Sequence, residues 1–377
     1  MKWMCLLFLC SVVSAGAVDK SFYVYIGTYT KNLSKGIYVV RFDASTGVLS
    51  KPELAAETTN PSFVAIRPCR NYIYAVGEIA QFDGKKTGAV SAFKIDKVTG
   101  KLTLLNQAES RGAGPCHVSV DKTGKYVLVA NYSAGSAAVI AIKEDGSLGE
   151  STAFVQHEGS GPDEKRQKGP HAHSINLSAD NRFAFVADLG LDKMMVYKFD
   201  QAKGTLVPNE TPFANVQPGG GPRHFAFHPC NKYAYVINEM ANTISAFSYD
   251  AATGTLKELQ TVPTLPADFG EKNTTAEVVV HSSGKFVYGS NRGHNSIAVF
   301  SIDQSTGKLT FVEHVSSKGK SPRNFCVDPT GNWMIIANQD SNNILVYKID
   351  TDTGKLTPTG QEYEVGMPVC VRFMPVE

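Results

Sequence analysis

Two of the nine histidines stand two residues apart, in the stretch KGPHAHS at positions 168–174. His171 and His173 in that spacing suggest three chemistries: a metal site, a proton relay, or two polar residues at a strand end. A metal site needs a third ligand, and none of suitable spacing is evident. A second set of candidates is cationic: Arg223 in GPRHFAFHP, Arg292 in NRGHN and Arg323 in SPRNFCVDP, with Glu239 closing the stretch YVINE. Guanidinium groups present fixed donor forks to a carboxylate or phosphate. A carboxylate among them can accept a proton, and a nearby imidazole can pass one on. Cationic neighbours would also repel a metal ion, so no metal is expected. These residues are widely separated in the chain, and only the fold can bring them together.

The bulk numbers narrow the class. The chain has 377 residues, 42% of them hydrophobic and 19% charged, with a net charge of +2. That describes a globular protein with a large core, and it argues against a nucleic-acid binder, which would carry a basic excess. The first 17 residues read as a secretory leader: Lys2, the apolar run WMCLLFLCSVV, then Ala15-Gly16-Ala17 as the cleavage site. The mature chain is expected from about Val18, exported to a periplasm or the exterior, and Cys10 raises the alternative of a lipid anchor. No later apolar run reaches the length of a membrane span. Five cysteines remain, Cys69, Cys116, Cys230, Cys326 and Cys370, without CxxC spacing. They read mostly as small core residues.

The elements that must position the candidates are strands. A motif Asp-x-x-x-Gly-x-Leu recurs as DASTGVL, DKVTGKL, DQAKGTL, DAATGTL, DQSTGKL and DTDTGKL, with a shortened copy EDGSL. Asp bonds the backbone ahead of it, Gly takes a positive φ, and Leu re-enters a sheet. A second motif alternates with it: GPRHFAFHPCNKYAYVINE (221–239) matches SPRNFCVDPTGNWMIIANQ (321–339) and GPCHVSVDKTGKYVLVANY (114–132). Each copy is a strand, a tight turn and a strand. Seven four-stranded units predict an all-β fold, a seven-bladed β-propeller with four antiparallel strands per blade. The chain ends on a lone first strand, MPVCVRFMP, and begins on second and third strands, so the two termini should complete one shared blade. Residues 18–377 then form a single domain.

Register counting assembles a site. The start of each first strand and the end of each second strand meet at the open end of a hairpin, so Arg223 faces Glu239. His173 and Arg323 occupy the Arg223 position in other blades; Arg292, Gln339 and Glu78 occupy the Glu239 position. These should crowd one mouth of the central channel, with the loop HEGSGPDEKRQKGP (157–170) as its rim. His117 and His224 should point toward blade packing, and GGG at 219–221 reads as a flexible rim. The alternative is a wet, charged mouth whose residues pair only for structure.

Taken together, GSGPDEKRQKGPHAHS, VADLGLDK, GPRHFAFHP with YVINE, NRGHNSIAVF and SPRNFCVDPTGNWMIIANQDSNNI resemble the lactonase seven-bladed propeller family, which includes propeller-type 6-phosphogluconolactonases and carboxy-cis,cis-muconate cyclases. The resemblance spans the mature chain. It implies a cofactor-free site of His173, Arg223, Glu239 and Arg292, with His171, Arg166 and Gln167 as substrate-binding candidates and a small anionic lactone as substrate; Arg323 and Gln339 join the substrate-binding candidates from the register. The expected mechanism has Arg223 and Arg292 hold the oxyanion or anionic group, Glu239 activate water and His173 protonate the leaving oxygen, or the last two exchanged. A muconate-type cycloisomerase and a non-catalytic binding propeller are the alternatives. An exported chain sits badly with an intracellular phosphorylated lactone, and the sequence leaves that open.

Overall fold

In the computed structural model, which describes residues 20–31 and 33–376, every regular element is a β-strand. The expected leader at 1–17, Cys10 within it and the expected start at Val18 lie outside the described residues. Blade 4 shows the plan: Pro222–Phe227, Tyr233–Asn238, Thr243–Asp250 and Thr255–Pro263 form one antiparallel sheet in that order. Five further sheets repeat it, from blade 1 (beginning at Val64–Ile66) to blade 6 (ending at Leu356–Glu364). The seventh blade is shared as expected: Pro368–Pro375 pairs with Ser21–Thr28, which pairs with Gly36–Asp43. Its outer strand is broken into Val48–Leu49 and Glu53–Glu57.

Burial follows position in the blade. The second strand is covered on both faces by neighbouring blades, so Phe183–Asp188 (FAFVAD) is buried at every residue. The fourth strand has one face in water, so after the buried Leu148 the strand Leu148–Gln156 alternates half-buried and exposed. The core is therefore a set of contacts between adjacent sheets. Between blades 3 and 4, Phe185 stacks on Phe225 at 5.4 Å, with Val196, Val236 and Phe247 around them. Each such side chain contributes about 1.5–3 kcal/mol by leaving water.

The Asp-Gly turns do more than reverse the chain. Gly47, Gly100, Gly146, Gly204, Gly254, Gly307 and Gly354 all have positive φ, between 67° and 86°. Each also lies flat on an aromatic ring of the preceding blade: Trp333, Tyr23, Tyr72, Tyr126, Phe183, Tyr233 and Phe286 respectively. A Cβ at Gly254 would sit 2.6 Å from the Phe183 ring. Buried tyrosines complete the latch, as where Tyr235 donates to Gly307 O at 3.0 Å and Tyr288 to Gly354 O at 3.0 Å. The repeated glycine is thus required twice, by its dihedral angle and by the ring it meets.

Two of the five cysteines depart from the expected core placement. Cys69 and Cys230 are exposed rather than in the core, while Cys116 and Cys370 are buried and Cys326 is partly so. The exposed pair lie between the first and second strands of blades 1 and 4, where the chain faces solvent.

Candidate active site

The inner strands carry a repeated irregularity. In blade 4, Pro222 pairs with Asn238 and His224 with Ile237, leaving Arg223 as an extra residue. The same one-residue bulge falls at Cys116, His173 and Arg323 in blades 2, 3 and 6. A bulge interrupts strict alternation and re-aims the inserted side chain. Three of these strands open on proline, Pro115, Pro222 and Pro322; the missing N–H costs nothing at a strand's first residue. A second ring of residues follows the second strands: Glu78, Tyr132, Glu239 and Tyr29, with Arg292 in register. Both rings meet at one mouth of the channel.

There they enclose a cavity of about 210 Å3 lined by Glu78, Cys116, Tyr132, Arg166, His173, Glu239, Arg292 and Arg323. Glu239 is its hub, with only 7% of its side chain exposed. Arg166 Nη2 donates to Glu239 Oε1 at 2.8 Å, Arg223 Nε donates to Oε2 at 3.1 Å, and Arg292 Nη2 lies 2.9 Å from Oε2. His173 Nε2 is 4.0 Å from the same oxygen. Burial alone would raise the Glu239 carboxyl, but Arg292, Arg223 and Arg166 outweigh it and hold it at about 2. Burial, with Arg223, His224 and Arg323 nearby, pushes the His173 imidazolium well below the usual range, so the ring is neutral. Burial pushes the Cys116 thiol up, and it stays protonated beside His173, with Sγ 3.7 Å from Nδ1.

Across the ring the arrangement differs. Arg323 Nη2 donates to Tyr29 Oη at 3.1 Å, and its guanidinium lies over the Tyr29 ring. Tyr29 donates in turn to Glu78 Oε2 at 2.9 Å, and Ser62 donates to the same oxygen.

His173, Arg223, Glu239, Arg292, Arg166 and Arg323 therefore come together. Three other candidates do not. His171 precedes its strand, which begins at Ala172; its ring stacks on Tyr132 at 4.5 Å and its Nδ1 contacts Tyr132 O at 2.9 Å, outside the cavity lining. Gln167 is fully buried and anchors the rim loop, donating to Leu189 O at 2.8 Å and Asp192 Oδ1 at 2.7 Å. Gln339 keeps the Glu239 register but turns aside, donating to Asp340 Oδ1 at 3.0 Å.

Two regional expectations are corrected. Residues 219–221 are pinned, since Gly219 N and Gly221 N both donate to the Asp192 carboxylate, at 2.7 and 2.8 Å. His117 and His224 do not join the blade packing. Because the bulge puts Arg223 and His224 on the same side, the two imidazoles fill the channel beneath the site. Phe63 and His117 rings lie 4.1 Å apart, and His224 Nδ1 is 2.8 Å from Glu277 Oε1. Below this layer is a second cavity of about 250 Å3, with Arg372 in its lining.

Sequence reasoning missed Cys116, Tyr132 and Tyr29. The first two stand in GPCHVSVDKTGKYVLVANY at the places of Arg223 and Glu239, so their signal was the alignment of repeats rather than their chemistry. Glu78 was placed by register without being assigned a part.

A seven-bladed ring with a guanidinium-lined cavity at one channel mouth defines a small-molecule site of the kind propellers build where blades converge. The chain belongs to the family described as lactonase, 7-bladed beta-propeller, whose model matches residues 23–373. It is 41% identical over 350 residues to a 6-phosphogluconolactonase of Bacillus subtilis, covering 93% of this chain and 97% of that one. A 6-phosphogluconolactonase of Formosa agariphila is 36% identical over 320 residues, 82% of this chain and 87% of its own. Among solved structures, the periplasmic gluconolactonase of Pseudomonas aeruginosa superposes with a TM-score of 0.89 at 33% identity, covering 95% of this chain and all of the other.

Proposed function

We propose that the protein hydrolyses sugar-acid lactones and that the ring opens in the cavity at this channel mouth. The observation that carries the reading is the convergence of Arg166, Arg292 and Arg323 on one small cavity with Glu239, with Arg223 buried behind the carboxylate it bonds. Arg292, which lines the cavity, stabilises the oxyanion that forms as water attacks the lactone carbonyl, and Arg223 acts from behind Glu239, with its Nη1 on Ala276 O at 2.7 Å. Such preorganised donors act most strongly where water is excluded. Arg323 has no carboxylate within 4.0 Å among the described residues and is free to take an anionic group of the substrate.

The surroundings of Glu239 and His173 bear on the roles expected for them. Both Glu239 oxygens face guanidiniums, so the carboxylate is a weak base and serves to array them. A neutral His173 offers the departing ring oxygen a hydrogen bond rather than an imidazolium proton.

Export belongs to the same proposal. The leader features of residues 1–17 support it, as does the periplasmic description of the Pseudomonas relative. No helix among the described residues is long and apolar enough to cross a membrane. An exported enzyme would meet unphosphorylated aldonolactones, an intracellular one the 6-phosphate.

The test is a pH-stat assay of purified protein on glucono-δ-lactone, on its 6-phosphate and on carboxymuconate. Opening of either sugar lactone above the spontaneous rate is expected. Turnover of carboxymuconate alone would assign a cycloisomerase, and binding without turnover would leave a non-catalytic propeller.

A further inference from the structure

Hydrolysis needs a group that takes a proton from water, and the cavity holds two carboxylates. Glu239 is engaged on both oxygens by three guanidiniums. A lone pair directed at a guanidinium is not available to a water proton. Glu78 sits three blades away in a ring of seven, across the channel, and lines the same cavity. Its Oε2 is fixed by Tyr29 and Ser62, while its Oε1 has no hydrogen-bond partner among the described residues. No guanidinium lies within 4.0 Å of it among those residues. The charged and titratable groups around it are Arg323, held off by the intervening Tyr29, the Tyr29 phenol itself, and the Cys116 thiol; burial pushes both the phenol and the thiol up, so both stay protonated.

We infer that Glu78 is the catalytic base of this site, one oxygen clamped for orientation and the other presented to the attacking water. The assignment rests on the lactonase reading and deepens it. Glu78 Oε1 takes a proton from water as its oxygen bonds to the lactone carbonyl carbon. The carbonyl electron pair moves to the oxyanion, which faces the guanidiniums. When the tetrahedral intermediate collapses, the bond to the ring oxygen breaks, and that oxygen receives the proton from Glu78. The product acid then ionises to solvent, so Glu78 ends as it began. Glu239 is, on this view, a positioning residue that acts through Arg166, Arg223 and Arg292.

The test compares wild-type, Glu78→Gln, Glu78→Ala and Glu239→Ala proteins on glucono-δ-lactone and its 6-phosphate, with circular dichroism to confirm folding. A positioned base contributes on the order of 10²–10⁴-fold. Glu78→Gln is expected to lose at least ~100-fold in kcat with KM within about threefold, and added formate should restore part of the rate to Glu78→Ala. Formate would not rescue a merely structural defect. If wild-type protein opens neither lactone, the lactonase reading falls and this assignment with it. If wild-type protein opens one and Glu78→Gln matches its kcat, the lactonase reading stands and the assignment to Glu78 is overturned. Formate rescue of Glu239→Ala in place of Glu78→Ala would overturn it equally.

Discussion

One buried carboxylate holding three guanidiniums sets the character of the site at the scale of single residues. Removing that charge leaves the cations to repel each other in a cavity where Arg223 is 3% and Arg292 13% exposed. Glu239→Gln is therefore expected to lower unfolding stability by about 3 kcal/mol or more, read from urea melts. Arg292→Ala removes the proposed oxyanion donor and is expected to reduce kcat/KM by about 100-fold or more, with Arg292→Lys recovering only part, because an ammonium lacks the planar fork. The charged members of the site were legible because arginine and glutamate stand out at repeated positions. Tyr29 and Tyr132 were not, since a tyrosine at a strand end looks the same whether it packs or lines a cavity.

Among the elements, the bulged inner strand and the Asp-Gly turn carry separate tasks. The bulge at Arg223, His173 and Arg323 aims side chains at the mouth. It also explains the misplacement of His117 and His224, because period-two counting assigns neighbours to opposite faces and fails across an inserted residue. The turn latches blade to blade. Gly254→Ala would force both a positive φ and a clash with Phe183, and is expected to cost more than Gly360→Ala by about 1–3 kcal/mol, since the added Cβ of the latter meets nothing within 4 Å and its cost is confined to its own positive φ. Thermal melts of the two variants check this. The turn motif was legible as a turn; its aromatic socket was not, because the glycine and its ring lie in different blades.

For the whole molecule, closure and charge decide stability. Deleting Pro368–Pro375 removes the inner strand of blade 7 and exposes the edge of Ser21–Thr28. The expected outcome is a shift from the wild-type elution position to larger aggregates, measured by size exclusion, since an unpaired edge invites association. The pH response follows from the channel. Burial, with neighbouring cations and rings, lowers His117, His173 and His224, so the folded protein keeps them neutral where the unfolded chain protonates them. Their contribution is fully present above the unfolded value near 6.5 and is lost as pH falls below it, by about 1.4 kcal/mol per pH unit for each. Burial raises Glu277, which acts in the opposite sense above its unfolded value. Stability is expected to fall between pH 6.5 and 5 in denaturant titrations, and a His173→Asn variant should show a shallower slope.

Strand periodicity, the recurring Asp-Gly turn and the unmatched strands at the two ends determined, from sequence alone, a closed seven-bladed ring and the mouth at which His173, Arg223, Glu239, Arg292 and Arg323 meet. Repeats transmit position, so a register counted in one blade holds in the next. Only the tertiary structure decided which atoms touch. That Glu239 is engaged on both oxygens by Arg166, Arg223 and Arg292, that Gln339 turns away from the register it shares, that His171 stands behind Tyr132 and that Glu78 keeps an oxygen open all depend on side-chain direction across the channel. Those directions are set by bulges and by neighbours from other blades, which no local pattern along the chain encodes.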